Sequence, residues 1–319
     1  MGKTMNPVLK YWRQYRWANV GAMIKNSMQA PEICEDDFQG RLVVITGATS
    51  GIGYHTARKY ASQGANLLTI NRNEHKSEAL CLELTRDFGV ACDYLLADLS
   101  RLADVHRVGN TLAAMAAPID VLIHNAGLHL SRRVLTEDGI ETTFAVNYLS
   151  SFVINNLIKE KLKAEQRARI ILVNSEGYRF AVWGLRLDDL NWNRRRYTGL
   201  RAYGASKTAQ LLTMLVFHDD FCASGVTINA MHPGMVATNT GADNGPLYQW
   251  YKRNFINRLS QSAEISEQAL YYLGVSNALA GVSGKFFNLT RQEELAPPAR
   301  DREVADALWE ISLTMGGLQ

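Results

Sequence analysis

Two residues four positions apart could carry acid–base chemistry in this sequence. Tyr203 and Lys207 open the segment Tyr203–Phe221, whose composition and length predict a helix, so both side chains project from one face. An ammonium beside a phenol stabilises the phenolate, which lets the phenol act as an acid or a base near neutral pH. In many helices such a pair would be only two surface neighbours, so the elements around it decide the interpretation.

A serine provides a second candidate group. Ser175 follows the predicted strand Ile170–Asn174, and a hydroxyl at such an edge can donate a hydrogen bond to a substrate oxygen that gains negative charge. A serine at the end of a strand is also a common turn former. The sequence alone leaves both interpretations open.

Glycines follow the first predicted strand. Residues 46–53 read TGATSGIG and open a predicted helix. Gly47 can take the tight turn, Gly51 lets the backbone approach a pyrophosphate, and Gly53 lets the helix pack closely on the strand. The free N–H groups and the positive end of the helix dipole then favour phosphate. We therefore predict a dinucleotide phosphate site, with a purely structural glycine turn as the alternative.

Short apolar runs alternate with longer segments of helical length from Arg41 onward. This alternation predicts an α/β fold, a Rossmann-type doubly wound parallel sheet, in one domain at residues 39–319 that follows an N-terminal extension at residues 1–38. The predicted strands are Leu42–Ile45, Asn66–Ile70, Ala91–Ala97, Val121–His124, Ile170–Asn174, Val226–Met231 and Lys285–Asn288. Predicted helices include Gly51–Gln63, Ala103–Ala116 and Tyr203–Phe221.

Composition narrows the classes of function. The net charge is +3, and the first thirty residues carry five basic and no acidic side chains, which leaves about −2 on the rest of the chain. The body of the chain is therefore not expected to bind nucleic acid. The four cysteines fall at unrelated spacings, which predicts neither a metal site nor a disulfide framework and favours a reducing cytoplasm. The sequence shows no apolar run of membrane-spanning length and no secretion signal.

The extension itself carries a helical pattern. Val8, Trp12, Tyr15 and Met23 recur at roughly helical spacing among the basic residues. A basic amphipathic helix can lie peripherally on a membrane surface, dock onto a partner subunit or pack back on its own domain. The sequence leaves these three alternatives open.

The end of the second predicted strand bears on the choice of cofactor. A carboxylate there would bind a free ribose and repel a 2′-phosphate, but the sequence has Asn71 and Arg72. A guanidinium offers forked donors and a fixed positive charge to the 2′-phosphate. NADP(H) is therefore favoured over NAD(H), with a solvated surface arginine as the alternative.

Together these motifs resemble the short-chain dehydrogenase/reductase family. The glycine run matches its T-G-x-x-x-G-[IL]-G pattern, residues 203–207 match its Y-x-x-[ST]-K pattern, and the resemblance covers roughly residues 40–318. It implies that the cofactor contacts the glycine turn, the ends of later strands and the active-site pair. These residues are Gly47, Thr49, Ser50, Gly51, Ile52, Gly53, Asn71, Arg72, Asp98, Leu99, Asn125, Ala126, Gly127, Tyr203, Lys207, Pro233, Gly234 and Thr238.

The resemblance also implies a mechanism. Tyr203 would exchange a proton with the substrate oxygen, Ser175 would stabilise the oxyanion, and Lys207 would lower the pKa of the phenol and bind the nicotinamide ribose. Asn147 resembles the family's asparagine that holds a water for proton relay, with a helix kink or a buried amide as the alternative. Asn174 departs from the small residue that the family usually has before the serine.

Three later stretches resemble the retinol-dehydrogenase-like branch of the family: LDDL at 187–190, SGKFF at 283–287 and ALWEIS at 307–312. The branch implies a small, lipophilic carbonyl or alcohol substrate and a homo-oligomer. Residues about 239–265 take the place of the family's substrate lid, where their aromatic side chains either cover the ligand or form core contacts. The basic run 194–196 could bind an anionic substrate tail or be a solvated loop.

Two other functions are compatible with a dinucleotide fold. One is a catalytically idle sensor or scaffold that binds the dinucleotide without turnover, because a fold does not guarantee a reaction. Intact Ser175, Tyr203 and Lys207 argue against it. The other is a sugar-nucleotide epimerase or dehydratase, which usually carries a different glycine spacing.

Overall fold

An eight-stranded sheet forms the centre of the molecule. The computed structural model describes residues 10–15, 26, 29–234 and 263–319. The strand order is β3-β2-β1-β4-β5-β6-β7-β8, and all neighbours are parallel except β7 and β8. The order reverses between β1 and β4, where sheets of this type bind ligands at their carboxyl ends. The strands are β1 (Leu42–Thr46), β2 (Asn66–Asn71), β3 (Cys92–Leu96), β4 (Val121–His124), β5 (Arg169–Val173), β6 (Thr227–His232), β7 (Phe286–Asn288) and β8 (Arg291–Glu293).

Helices cover both faces of the sheet. The longer ones are α1 (Gly51–Ser62), α2 (Glu74–Phe88), α3 (Leu102–Ala114), α4 (Ser150–Glu165), α5 (Gly199–Asp220), α6 (Ala263–Val275) and α7 (Arg302–Met315). Alternate residues of β1 point to opposite faces. Val44 packs in a core with α3, α4, α5 and α7, whereas Val43 and Ile45 pack in a core with α1, α2 and α6. Burial on both faces explains the nearly continuous apolar runs of the inner strands.

This architecture confirms the predicted doubly wound α/β fold, with differences at the ends of elements. Helix α5 begins at Gly199, four residues before the predicted start, because the Thr198 side chain accepts a hydrogen bond from the N–H of Arg201 and caps the helix. Strand β3 is one residue shorter at each end than predicted. The sequence does not predict β8, whose three polar residues carry no strand pattern.

The described part of the N-terminal extension packs on the domain. Tyr11 is buried, and its hydroxyl donates a 2.6 Å hydrogen bond to Asp301 at the start of α7. Lys10 forms an ion pair with the same carboxylate, and Asn26 donates to Glu293 of β8. These three residues of the extension pack back on the domain, whereas Trp12 is 53% exposed. Val8 and Met23 lie outside the described residues, and contact with a membrane or a partner subunit stays a prediction. Among the helices of the described residues, none is both long and apolar enough to cross a membrane.

Candidate active site

The predicted catalytic residues converge at the carboxyl end of β5. Ser175 lies in the loop that leaves this strand, and α5 packs against the same loop. The side-chain amide of Asn174 donates hydrogen bonds to the carbonyl oxygen of Lys207 at 3.0 Å and to Oε1 of Gln210 at 2.9 Å. The residue that departs from the family pattern therefore ties the strand end to the active-site helix.

Lys207 is buried in this junction. Its Nζ donates a 2.7 Å hydrogen bond to the carbonyl oxygen of Val173, and it lies 6.0 Å from the centroid of the Tyr203 ring. Burial lowers the pKa of Lys207 to about 7, because the interior disfavours the charged form. The lysine can therefore change protonation near neutral pH.

Ser175 and Tyr203 meet at Gly177. The Ser175 hydroxyl oxygen accepts a 3.0 Å hydrogen bond from the Gly177 N–H, which leaves the serine O–H available as a donor. A Cβ atom on Gly177 would lie 2.8 Å from Cε1 of Tyr203 and 3.2 Å from Oγ of Ser175. Only a glycine leaves room for the phenol in this position. The motifs in the sequence do not predict a role for Gly177, whose one signal is its position two residues after Ser175.

Asn147 lies in a π-helical segment, Ala145–Leu149, that precedes α4. Its Oδ1 accepts a 2.8 Å hydrogen bond from the Leu128 N–H, and its Nδ2 donates to the Leu128 carbonyl at 2.9 Å and to Oγ of Ser206 at 3.1 Å. The buried amide thus joins the loop after β4 to α5. Segments of π-helix are frequent at functional sites. The water-relay role of Asn147 stays a prediction.

The glycine turn forms a cradle at the amino end of α1. Gly47 and Gly51 have φ angles of 70° and 57°, which side chains of L-residues rarely adopt. A Cβ atom on Gly53 would lie 2.3 Å from the Gly47 carbonyl oxygen, so only glycine allows this close packing. The Ser50 side chain does not cap the helix, which leaves N–H groups of the first turn for a ligand. Thr49 and Ile52 lie half-buried beside them, and the turn suits a pyrophosphate.

The motif after β4 braces this turn. The Thr46 hydroxyl oxygen accepts hydrogen bonds of 3.0 Å from the N–H groups of both Asn125 and Ala126. The Asn125 amide donates to the carbonyl oxygen of Gly47 at 2.9 Å. Gly127 follows at the start of the next loop. The structure therefore brings this motif against the glycine turn, as a shared cofactor site requires.

The two residues at the end of β2 have different surroundings. Asn71 is buried, and its Oδ1 accepts a 2.8 Å hydrogen bond from the Ala48 N–H while its Nδ2 donates to Thr69. Its amide therefore supports the glycine turn. Arg72 is exposed and forms no hydrogen bond or ion pair within the described ranges of the chain. Its guanidinium is free to meet a ligand.

The remaining predicted cofactor residues lie at strand ends. Asp98 is half-buried after β3, and Leu99 beside it is buried. Pro233 and Gly234 follow β6, and Gly234 has a φ of 79°. Thr238 and most of the predicted lid lie outside the described residues.

The fold and the candidate site are those of a dinucleotide-binding α/β protein with a Tyr–Lys pair, and comparisons with known proteins show its family. The short chain dehydrogenase family model matches residues 41–184. Human retinol dehydrogenase 13 is 35% identical over 287 residues, which cover 88% of this chain and 86% of that protein. A Streptomyces sp. (strain C5) protein, provisionally named daunorubicin C-13 ketoreductase, is 34% identical over 87% of this chain and 93% of its own.

A solved structure has the same fold. It is a short-chain dehydrogenase from Sphingobium yanoikuyae in complex with NADPH, with a TM-score of 0.60 and 24% identity over 72% of this chain and 82% of that chain. The protein described here belongs to the short-chain dehydrogenase/reductase family, in its retinol-dehydrogenase-like branch. It is accordingly an oxidoreductase of the carbonyl/alcohol type that uses a nicotinamide dinucleotide.

Proposed function

We propose that this protein moves a hydride between NADP(H) and a carbonyl or alcohol group of a small, fairly apolar molecule, with Tyr203 as proton donor and acceptor. The convergence of Tyr203, Ser175 and Lys207 at the end of β5 carries the proposal. The glycine turn lies at the carboxyl end of β1, two strands away from β5 in the same parallel sheet, and sheets of this type bind ligands at that edge. This arrangement supports a reaction rather than dinucleotide binding alone.

Each polar group has a separate role in reduction. The bound nicotinamide supplies the hydride. The Tyr203 hydroxyl donates its proton to the substrate oxygen, and the Ser175 hydroxyl donates a hydrogen bond to the same oxygen as it gains negative charge. The Gly177 N–H orients the serine oxygen, and the Lys207 ammonium stabilises the phenolate left on Tyr203. In oxidation of an alcohol, the substrate hydroxyl gives its proton to the Tyr203 phenolate.

The cofactor residues contact different parts of the dinucleotide. The glycine turn, residues 47–53, holds the pyrophosphate through backbone N–H groups, and Asp98 and Leu99 contact the adenine. Lys207 binds the nicotinamide ribose, and Pro233, Gly234 and Thr238 contact the nicotinamide end. Arg72 binds the 2′-phosphate of NADP(H), which its exposure and lack of an ion pair within the described ranges support.

The substrate class follows from the relatives and from the basic loop. One relative is named as a retinol dehydrogenase and another, provisionally, as a daunorubicin C-13 ketoreductase. Arg194 and Arg195 of this chain form ion pairs with Asp188 and Asp189. Two of the three basic side chains in this loop are thus engaged within the protein, which favours a lipophilic substrate over one with an anionic tail.

The test is a screen of NADPH oxidation against lipophilic aldehydes, ketones and quinones, repeated with NADH. We expect turnover of at least one class of apolar carbonyl, with NADPH as the better cofactor. Binding of NADPH without turnover of any carbonyl, or of any alcohol in the reverse direction, would support the idle sensor or scaffold instead.

A further inference from the structure

His129 packs against the tyrosine of the active site. It lies two residues after the Asn125-Ala126-Gly127 motif, and its side chain is 9% exposed. The ring centroids of His129 and Tyr203 are 5.7 Å apart with an interplanar angle of 66°, so the two rings meet edge to face. This is a favoured geometry for two aromatic rings.

The backbone on both sides of His129 is held in place. The Leu128 N–H and carbonyl both bond to the side-chain amide of Asn147, at 2.8 and 2.9 Å. The Leu130 carbonyl accepts a 3.3 Å hydrogen bond from the Tyr197 hydroxyl. The loop therefore presents the imidazole from a fixed position, as precise positioning of a neighbour requires.

Gly199 confines the imidazole from the start of α5. A Cβ atom on Gly199 would lie 3.1 Å from both Cε1 and Nε2 of His129 and 2.4 Å from the Leu130 carbonyl oxygen. Helix α5 thus packs on the imidazole at its first residue and carries Tyr203 one turn later. The first turn of α5 therefore fixes the position of His129 relative to Tyr203.

The Tyr203 ring is enclosed on a second side by Gly177. The missing Cβ of Gly177 leaves the phenol edge close to the backbone of the loop that carries Ser175. Gly177 and His129 therefore contact the same ring from two different loops, those that follow β5 and β4. Contacts from two loops restrict the orientation of the ring.

We propose that His129 is a positioning residue, whose aromatic ring holds the Tyr203 phenol in the orientation for proton transfer. This inference rests on the proposed function of Tyr203. Burial lowers the pKa of His129, so the imidazole is neutral at neutral pH and acts by shape rather than by charge. An aromatic residue of similar size can replace it, whereas a polar residue without a ring cannot.

The test compares His129→Phe with His129→Gln and His129→Ala. We expect His129→Gln and His129→Ala to lower kcat on the order of ten- to a hundredfold, because small displacements of a catalytic group have effects of that size. The Kd of NADPH should be unchanged in both variants. His129→Phe should have a kcat within about threefold of the parent value and keep the parent pH profile between about pH 6 and 9. The exposed His75→Ala on α2 is the control and should match the parent.

A parental kcat in His129→Gln would overturn the proposal. So would a kcat in His129→Phe as low as in His129→Gln, together with a changed acid limb of the pH profile. A second readout does not depend on turnover: in protein labelled with 3-fluorotyrosine, the Tyr203 ¹⁹F resonance is assigned by its loss in Tyr203→Phe. That resonance should move in His129→Gln and return toward the parent position in His129→Phe. A parent protein that turns over no substrate defeats the proposed function, whereas an unmoved resonance in His129→Gln defeats the positioning role.

Discussion

The Nζ of Lys207 donates a 2.7 Å hydrogen bond to the carbonyl oxygen of Val173, and this bond fixes the lysine of α5 at the last residue of β5. The ammonium is fully buried there, and its burial is the cause of its lowered pKa. A positive charge on Lys207 is therefore costly in the absence of a ligand. The free energy of unfolding of the apoprotein should consequently depend on pH.

Lys207→Met should stabilise the apoprotein most at about pH 6.5, and this advantage should shrink toward about pH 9.5. The folded pKa of about 7 lies below the ordinary value of 10.5. The unfolded chain thus binds more protons between these values, and the stability of the parent rises with pH by up to about 1.4 kcal/mol per unit. Urea unfolding of both proteins measures it, with the exposed Lys76→Met as control. A difference that stays constant with pH would refute the buried charge.

Gly177→Ala should slow the reaction far more than it destabilises the fold. The new Cβ would lie 2.8 Å from Cε1 of Tyr203, so the ring has to shift from its present position. We expect kcat to fall on the order of tenfold or more and the free energy of unfolding to fall by only about 1 kcal/mol. Steady-state kinetics and chemical denaturation of the same samples give both values. A loss of stability with unchanged kcat would mean that the ring does not depend on this gap.

Arg72→Ala should weaken NADPH and spare NADH. Loss of a charge-assisted contact to the 2′-phosphate costs roughly 1.5–3 kcal/mol, which is about one to two decades in Kd. Fluorescence titration with both cofactors measures the change, and Arg300→Ala, an exposed arginine beside α7, controls for net charge. Equal affinities of the parent for NADPH and NADH would contradict the assignment before any variant is made.

The sheet was predictable because its inner strands are buried on both faces and so read as unbroken apolar runs. Val43, Val44 and Ile45 show this most simply, since neighbouring residues enter different cores. Strand β8 could not be predicted, because three polar residues pair only after β7 is in place. The start of α5 depends on the Thr198 cap, a local signal that the apolar pattern hides.

The site was predictable where short motifs carry it and not where distant segments meet. Tyr203, Lys207 and the glycine turn have fixed spacings that can be read along the chain. The contacts of Tyr203 with Gly177 and His129 join helix α5 to the loops that follow β5 and β4. Neither Gly177 nor His129 therefore has a sequence spacing that predicts the contact. The sequence predicts Asn147 as a site residue but not its partners Leu128 and Ser206, which are remote from it in the chain.

The most direct test of the account is Tyr203→Phe, which keeps the ring and its packing but removes the hydroxyl. Turnover of a carbonyl that the parent reduces should be measured at saturating NADPH, together with the Kd of NADPH. We predict that kcat falls by at least about 10²-fold, the lower end of general acid–base assistance, while the Kd of NADPH stays close to the parent value. Near-parental kcat in Tyr203→Phe would contradict the assignment of Tyr203 as the proton donor.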